Sequence, residues 1–279
     1  MRKLLSANMA RLWRSKIFWT LEIAVVIWGI IVYSLVVINT QNLGMNWLMN
    51  GANIYFYHAI MYSAIVLAIF CSQFFGTEYE YGTIRNKLSV GQSRKNVYLS
   101  NLMISFLVSV IFTISHMATS FVAVPFVGIE AIIAANHTAW RFLCWFLIAG
   151  VYAALFTMLA ILDSSKSRNT LLSLLLALVL SFVGFMVYSK LAEPESVSRW
   201  VANEAGQFVL EENILNPDYL RGTIRTVFEW LDMVMPSSQG MHIMDANGEF
   251  HILMPICSVC LIILLTTLGI NLFKRKDIK

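Results

Sequence analysis

The stretch ILMPICSVCLIILLTTLGINLF runs from Ile252 to Phe273 and contains no charged residue. A helix crosses the hydrocarbon core of a membrane with about 20 mainly apolar residues, so this stretch is long enough to span a bilayer. Lys274, Arg275 and Lys276 follow it directly. Because Lys and Arg collect on the cytoplasmic side of membrane proteins, the end of this stretch is expected to face the cytoplasm.

Five further apolar runs of similar length precede it, which predicts six membrane-spanning helices. The six runs are Ile17–Ile38, Ile54–Phe75, Leu99–Val124, Trp140–Leu162, Leu171–Ser189 and Ile252–Phe273. Only 13% of the 279 residues are charged, against about 25% in soluble domains, so too few charges remain to cover a water-exposed surface. No internal repeat or Pro- or Ser-rich linker divides the chain. We therefore predict an all-α integral membrane protein with a single transmembrane domain over residues 1–279.

The positions of Lys and Arg predict that both ends of the chain are cytoplasmic. Of the 20 basic residues, 15 lie in the N-terminal stretch, the second and fourth connections and the C-terminal tail. Alternate connections therefore agree in charge, as the positive-inside rule requires of an even number of spans. We expect a multi-pass protein of the plasma membrane.

Two segments outside the spans have amphipathic patterns. Residues 1–16 carry apolar residues at helical spacing with basic residues on the opposite face, which predicts an in-plane helix at the membrane interface; these are Leu5, Met9, Leu12 and Trp13 against Lys3, Arg11 and Arg14. Residues 192–251 form a long acidic connection that we expect outside the cell. It should hold a weak helix around Trp200–Leu210 and a second helix that Asn216 caps, Pro217 begins and Pro236 stops. A solvated loop without a role is the alternative.

The connection of residues 76–96 is the most informative part of the chain. From Phe75 to Arg94 it reads FGTEYEYGTIRNKLSVGQSR. Thr83 can cap a short helix that Gly91 ends. Charged and aromatic side chains alternate along it, which favours docking against another polar protein surface. A plain cytoplasmic turn is the alternative.

This connection resembles that of the permease subunits of type-2 ABC (ATP-binding cassette) exporters, including small bacterial permeases that export peptides and antibiotics. In that family a short cytoplasmic helix between the second and third spans carries an acidic residue and an aromatic residue, then Gly-Thr and a basic, apolar continuation. Glu78-Tyr79 and Gly82-Thr83-Ile84-Arg85 match that pattern. The order of the predicted segments agrees along essentially the whole chain.

The resemblance implies that this short helix is a coupling helix that fits a cleft on a separate ATPase subunit. The implied contact residues are Glu78, Tyr79, Glu80, Tyr81, Gly82, Thr83, Ile84, Arg85, Asn86 and Lys87. A second, smaller contact is implied at Asp163, Ser164, Ser165, Lys166, Ser167 and Arg168. The implied assembly holds two ATPase subunits and a second permease, either another copy or a paralogue, in a bacterial cell membrane. No nucleic acid partner is implied.

The chain itself is not expected to hydrolyse ATP. Leu88-Ser89-Val90-Gly91-Gln92 looks like the ATPase signature Leu-Ser-Gly-Gly-Gln, but the sequence holds no G-x-x-x-x-G-K-[ST] phosphate loop. We therefore expect a non-catalytic subunit that binds no cofactor, with ATP and magnesium bound by the partner ATPase.

Few polar residues in the spans stand out as candidate site residues. Glu22 lies inside the first span, where an ionisable residue is a functional candidate. We expect it to pair with a Lys or Arg of the N-terminal helix, or else to line the pathway. Cys257 and Cys260 form a C-x-x-C without a second ligand pair nearby, and we interpret them as buried, inert thiols.

Two other classes of protein remain as alternatives, and the substrate is open. An intramembrane enzyme would need paired catalytic groups at membrane depth, and Glu22 alone does not supply them. A secondary carrier often shows inverted repeats, and none is visible. The spans carry aromatic and Met side chains, which favours an amphipathic or lipophilic substrate. The residues in question are Phe106, Phe112, Met117, Phe121 and Trp145. The resemblance to small peptide-exporting permeases implies an antimicrobial or toxic peptide, with a drug, a lipid or a polymer as the alternatives.

Overall fold

A computed structural model describes residues 1–43, 56, 58–122, 124–127, 138–163, 165–202, 208–245 and 251–277. The helices of the first part of the chain are α1 (Arg2–Trp13), α2 (Lys16–Leu43), α3 (Ala59–Glu80), α4 (Thr83–Ser89), α5 (Arg94–Thr119) and α6 (Val124–Val127). The rest holds α7 (Thr138–Leu162), α8 (Lys166–Leu191), β1 (Ser196–Ala202), β2 (Phe208–Leu215), α9 (Gly222–Val234), α10 (Pro236–Met244) and α11 (Leu253–Arg275).

Long apolar helices dominate the described residues, which confirms a helical membrane protein. Five segments are long and apolar enough to cross a bilayer: Lys16–Leu35, Arg94–Phe126, Thr138–Leu162, Lys166–Leu191 and Leu253–Arg275. They correspond to five of the six predicted spans. The second predicted span, Ile54–Phe75, begins among residues outside the described ones, and α3 covers the remainder and continues to Glu80.

Helix α7 is at the centre of the bundle, packed against α3, α5 and α11. Its buried side chains include a run of small residues, Ala149, Gly150, Ala153, Ala154 and Ala160. Small residues let membrane helices approach closely, so α7 can be surrounded by neighbours. In contrast, α8 and α11 bury few side chains, and their apolar surfaces face away from the chain.

The segment after α8 is not all-helical, which corrects the fold prediction. Where a weak helix was expected around Trp200–Leu210, β1 and β2 pair antiparallel, with Val197 opposite Ile214 and Arg199 opposite Glu211. Val and Trp favour a pleated, half-buried strand, and a charged pair across the strands adds to the pairing. These local preferences prevail over the weak helical pattern.

Helix α9 is the predicted amphipathic helix, but it begins at Gly222 instead of Pro217. The Asn216 side chain accepts a hydrogen bond from the Asp218 N–H at 3.0 Å, so it closes a turn and does not cap the helix. The predicted end is correct, because α9 stops at Val234. Its apolar residues Ile224, Val227 and Trp230 are exposed, as expected of a face that meets lipid or another membrane subunit.

Helix α10, which the sequence did not predict, lies inside the bundle between α3, α7 and α8. Pro236 ends one helix and begins the next, since proline fits the first helical position. Ser237 Oγ donates to the Leu180 carbonyl of α8 at 2.6 Å. Buried Asp232 of α9 contacts His242 of α10, with 2.8 Å between Oδ2 and Nε2. These contacts join α9 and α10 into one hairpin packed against the spans.

The cysteine prediction is wrong for one of the two residues of the C-x-x-C. Cys257 is half-buried, but Cys260 is exposed on the outer surface of α11. Both side chains contribute to the apolar surface of that helix.

Candidate ATPase-docking surface

A sharp turn at Gly82 separates the end of α3 from α4. Gly82 has φ +64°, in the left-handed region that glycine adopts readily. Gly91 has φ +83° and ends α4: its N–H donates to the Leu88 carbonyl at 3.0 Å, and the Gln92 N–H donates to the Lys87 carbonyl at 3.2 Å. This pair of bonds is a Schellman motif. The predicted short helix is present, although Gly82 is its N-cap and Thr83 its first residue.

Glu78 is not on the short helix, and its charge is not exposed, which corrects the sequence interpretation. It belongs to the last turn of α3, and only 1% of its surface is accessible. Its Oε1 accepts bonds from Arg11 of α1 and from Lys87 of α4. A buried carboxylate needs paired cations to offset its desolvation, and here two different helices supply them.

The ion pairs continue into a buried polar network on α5. Lys87 Nζ donates to Asn8 Oδ1 at 3.0 Å. Asn8 Nδ2 in turn donates to Ser100 Oγ and to Asn101 Oδ1, each at 2.9 Å. Burial lowers the pKa of both Arg11 and Lys87, while the nearby Glu78 opposes that shift. The network joins α1, α3, α4 and α5 at one end of the bundle, and we call it the Glu78 network.

One side of α4 is buried and the other is free. Ile84 packs inward against Leu4, Tyr98 and Phe273. The free side, together with the turns that flank α4, exposes Tyr81, Arg85, Asn86, Ser89 and Val90. Tyr81 and Val90 are 78% and 75% accessible, which is unusual for side chains of this size. Aromatic residues and arginine are enriched at protein interfaces, so this side has the composition of a docking surface.

The C-terminal end of α11 is fastened to the same region. Lys276 Nζ donates to the Ile161 carbonyl at 2.8 Å and lies 4.1 Å from the centre of the Tyr79 ring. Tyr79 donates its hydroxyl hydrogen to the same carbonyl. Arg94 donates to the Phe273 carbonyl at 2.8 Å. Burial lowers the pKa of Lys276 to about 8, although Asp163 opposes the shift.

The second predicted contact lies beside the first. Lys166, at the start of α8, pairs with Glu80, at the end of α3, with 3.4 Å between Nζ and Oε2. Arg168 donates two bonds to the Asp163 carboxylate, at 2.6 and 2.7 Å, and this pairing lowers the pKa of Asp163. Ser165, Ser167 and Arg168 are exposed, whereas Ser164 lies outside the described residues. The two stretches therefore form one continuous surface.

Within the described residues Glu22 does not pair with a cation of the N-terminal helix, although the sequence had favoured such a pair. Its Oε1 accepts a hydrogen bond from Ser115 Oγ on α5. In the described part of the chain its Oε2 has no hydrogen-bond partner. Arg11 is paired with Glu78. Nothing in this geometry makes Glu22 part of the surface around α4.

Sequence reasoning missed the roles of Asn8 and Arg11. The sequence predicted that Leu5, Met9, Leu12 and Trp13 form the lipid-facing side of the N-terminal helix. The side chains that this helix buries within the protein are Leu4, Asn8 and Leu12. Asn8 interrupts the apolar side of that helix, and a polar residue at such a position is the one local signal for a buried partner. The partner itself lies 92 positions away, at Ser100.

Residues 4–184 match the family model of the ABC-2 family transporter proteins. The chain belongs to this family. A search of curated proteins gave no match. The match contains the Glu78 network, both predicted contact stretches and helices α1 to α7 with most of α8.

Family membership gives the chain its general role. It is a permease of an ABC exporter and a multi-pass membrane protein. Such permeases associate with an ABC ATPase and are generally not catalytic themselves. The family thus favours the permease over the intramembrane enzyme and the ATP-independent carrier.

Proposed function

We propose that this ABC-2 permease forms the export pathway of a transporter driven by a separate ATPase, which docks on the exposed side of α4 and on the adjacent start of α8. The observation that carries the proposal is the two-sided character of α4. Its outer side exposes Tyr81, Arg85 and Val90, while its inner side is fixed by Ile84 and Lys87. A helix that only closed a turn would not need both an exposed aromatic and basic side and an inner side held by packing and an ion pair.

The Glu78 network supplies a route for force. A movement of α4 acts on Lys87, and through Glu78 it acts on Arg11 of α1 and on the end of α3. Transport requires a membrane domain with discrete arrangements that ATP binding and hydrolysis bias. Since the buried ion pairs tie the three helices together, they would move as one body when the ATPases close.

The proposed assembly contains two ATPases, which bind ATP and magnesium, and a second permease, as another copy or a paralogue. The proposed topology has six spans, with both termini and residues 76–96 in the cytoplasm and residues 192–251 outside. It is supported by the concentration of basic residues on one side. The proposed location is the plasma membrane of a bacterium.

For the substrate we favour an amphipathic antimicrobial or toxic peptide, with a drug or a lipid as the second candidate. The aromatic and Met side chains of the spans support this choice. In the structure some of these side chains are buried and others are exposed. Phe112, Met117 and Trp145 are buried within this chain, whereas Phe106 and Phe121 are exposed. Only the exposed side chains are accessible to a substrate in this arrangement.

Arg85 provides a direct test of the docking surface. It is exposed and forms no ion pair within the described residues, so Arg85→Glu should leave the permease folded. We expect the variant to retain less ATPase in a pull-down and to export less substrate. Arg14→Glu, an exposed cation beyond the end of α1, is the matched control. Full ATPase retention by Arg85→Glu would contradict the docking proposal.

A further inference from the structure

An apolar groove runs along the outside of the bundle. It consists of two neighbouring cavities of about 360 and 330 Å³, which share Met103, Phe106 and Phe146. The first cavity extends to Leu5 and Met9 of α1, and the second extends to α11. The side chains around both are apolar, and no feature of the groove offers a polar ligand a hydrogen bond.

The groove has a cationic end. Arg2, Leu5 and Met9 follow one another at helical spacing, so Arg2 lies on the side of α1 that lines the groove. Arg2 is exposed, and among the described residues it forms no ion pair. A ligand that fits both the apolar groove and its cationic end therefore has a long apolar part and an anionic end.

We propose that this groove holds an acyl chain of an anionic phospholipid from the cytoplasmic leaflet, with the lipid phosphate beside Arg2. Basic residues near the membrane surface attract anionic headgroups, and an acyl chain fits an apolar groove by van der Waals packing, since it moves there from hydrocarbon and not from water. The lipid would pack α1 against α5 and α7 from outside. This inference concerns a lipid-binding site and does not depend on where the ATPase docks.

The test uses phosphatidylglycerol with a photoreactive group on its acyl chain, in vesicles that contain the purified full chain. Met103 and Ile114 both lie on α5 and are about half accessible, at 47% and 54%, but only Met103 lines the groove. We expect adducts to map to the groove and to be lost in Met103→Trp, which fills it. Ile114→Trp should label like the natural chain. Adducts spread evenly over all exposed apolar helices, or unchanged in Met103→Trp, would overturn the proposal.

The headgroup is tested with phosphatidylcholine that carries the same photoreactive chain. Groove labelling should be weaker with this lipid, and Arg2→Gln should reduce phosphatidylglycerol labelling to the same level. Arg14→Gln, on the opposite side of α1 by spacing, should change nothing. A second copy of the chain is the competing occupant. If Met103→Cys forms disulfide-linked dimers in membranes and lipid adducts are absent, the groove is a subunit interface and the lipid proposal is wrong.

Discussion

Arg11 bonds to Glu78 across 67 positions of the chain, and this bond ties the N-terminal helix to the end of α3. The guanidinium group also lies 3.9 Å from the centre of the Phe74 ring. Glu78 is within one turn of Tyr81, where the candidate docking surface begins. Any movement of α1 is thus coupled to the helix that leads into α4.

Removal of the Glu78 carboxylate should destabilise the permease. Glu78→Ala leaves Arg11 and Lys87 partly buried without their anion, and loss of one partner of a buried pair typically costs about 3–5 kcal/mol. Chemical denaturation in detergent measures the free energy of unfolding. Glu80→Ala is the matched control, because its pair with Lys166 is more exposed and such pairs contribute about 0–1 kcal/mol. Equal stability of the two variants would show that the Glu78 pairs do not hold these helices together.

At Gly82, backbone conformation and not side-chain size should decide the outcome of substitution. A Cβ at this position meets no atom within 4 Å, while φ is +64°. Left-handed backbone costs most L-residues roughly 1–2 kcal/mol, but Asn adopts it more readily. Gly82→Ala should therefore lower the thermal unfolding temperature and weaken ATPase association more than Gly82→Asn does. The reverse order would mean that space, and not φ, limits the turn.

The stability of the folded protein should increase as pH rises above about 8, because Lys276 of the C-terminal tail is partly buried. Burial lowers the pKa of Lys276 to about 8, from 10.5 in the unfolded chain. Between these values the unfolded state binds more protons than the folded state, so stability increases with pH. Below pH 8 both states are protonated and the cost of burying the charge remains in full. Lys276→Met removes that cost.

The measurement is the unfolding temperature of Lys276→Met minus that of the natural chain, from pH 7 to pH 10. This difference should be most favourable to the variant at pH 7 and should decrease as pH rises. A difference that is constant with pH would show that Lys276 keeps its usual pKa in the folded protein.

The membrane topology predicts opposite labelling of two exposed positions. Single cysteines at Lys95 and Glu195, in a chain without the four native cysteines, should react with an impermeant thiol reagent only from the cytoplasmic side and only from outside, respectively. Both side chains are exposed. Ser237 would be an unsuitable reporter, because it is buried against α8. Labelling of both positions from outside intact cells would exclude the six-span arrangement.

Local sequence patterns predicted the elements of this fold well where one physical requirement dominates. The apolar run Trp140–Leu162 corresponds to α7, Thr138–Leu162, because a bilayer fixes the length of a span. The short helix in residues 76–96 was also predicted, from Thr83 as its cap and Gly91 as its end, although Gly82 takes the N-cap position. The burial of one side of α4 and the hairpin of α9 and α10 could not be predicted in the same way.

The missed features depend on contacts between distant parts of the chain. Glu78 has no local reason to be buried, and its burial follows only when Arg11 and Lys87 arrive from two other helices. Ser237 and Ser238 look solvated in sequence, yet both are buried, since Leu180 and Asp232 accept their hydrogen bonds. Polar residues with buried partners cannot be told from exposed ones without knowing which helices meet.

The most direct test of the ATPase-docking surface is site-specific photocross-linking in assembled membranes. A photoreactive amino acid replaces Asn86, on the exposed side of α4, or Glu195, which lies between α8 and β1. The permease is then irradiated with its cognate ABC ATPase and adducts are identified by mass spectrometry. Docking on α4 predicts permease–ATPase adducts from position 86 and none from position 195. Absence of adducts at position 86, while the complex remains intact by co-purification, would contradict docking on α4.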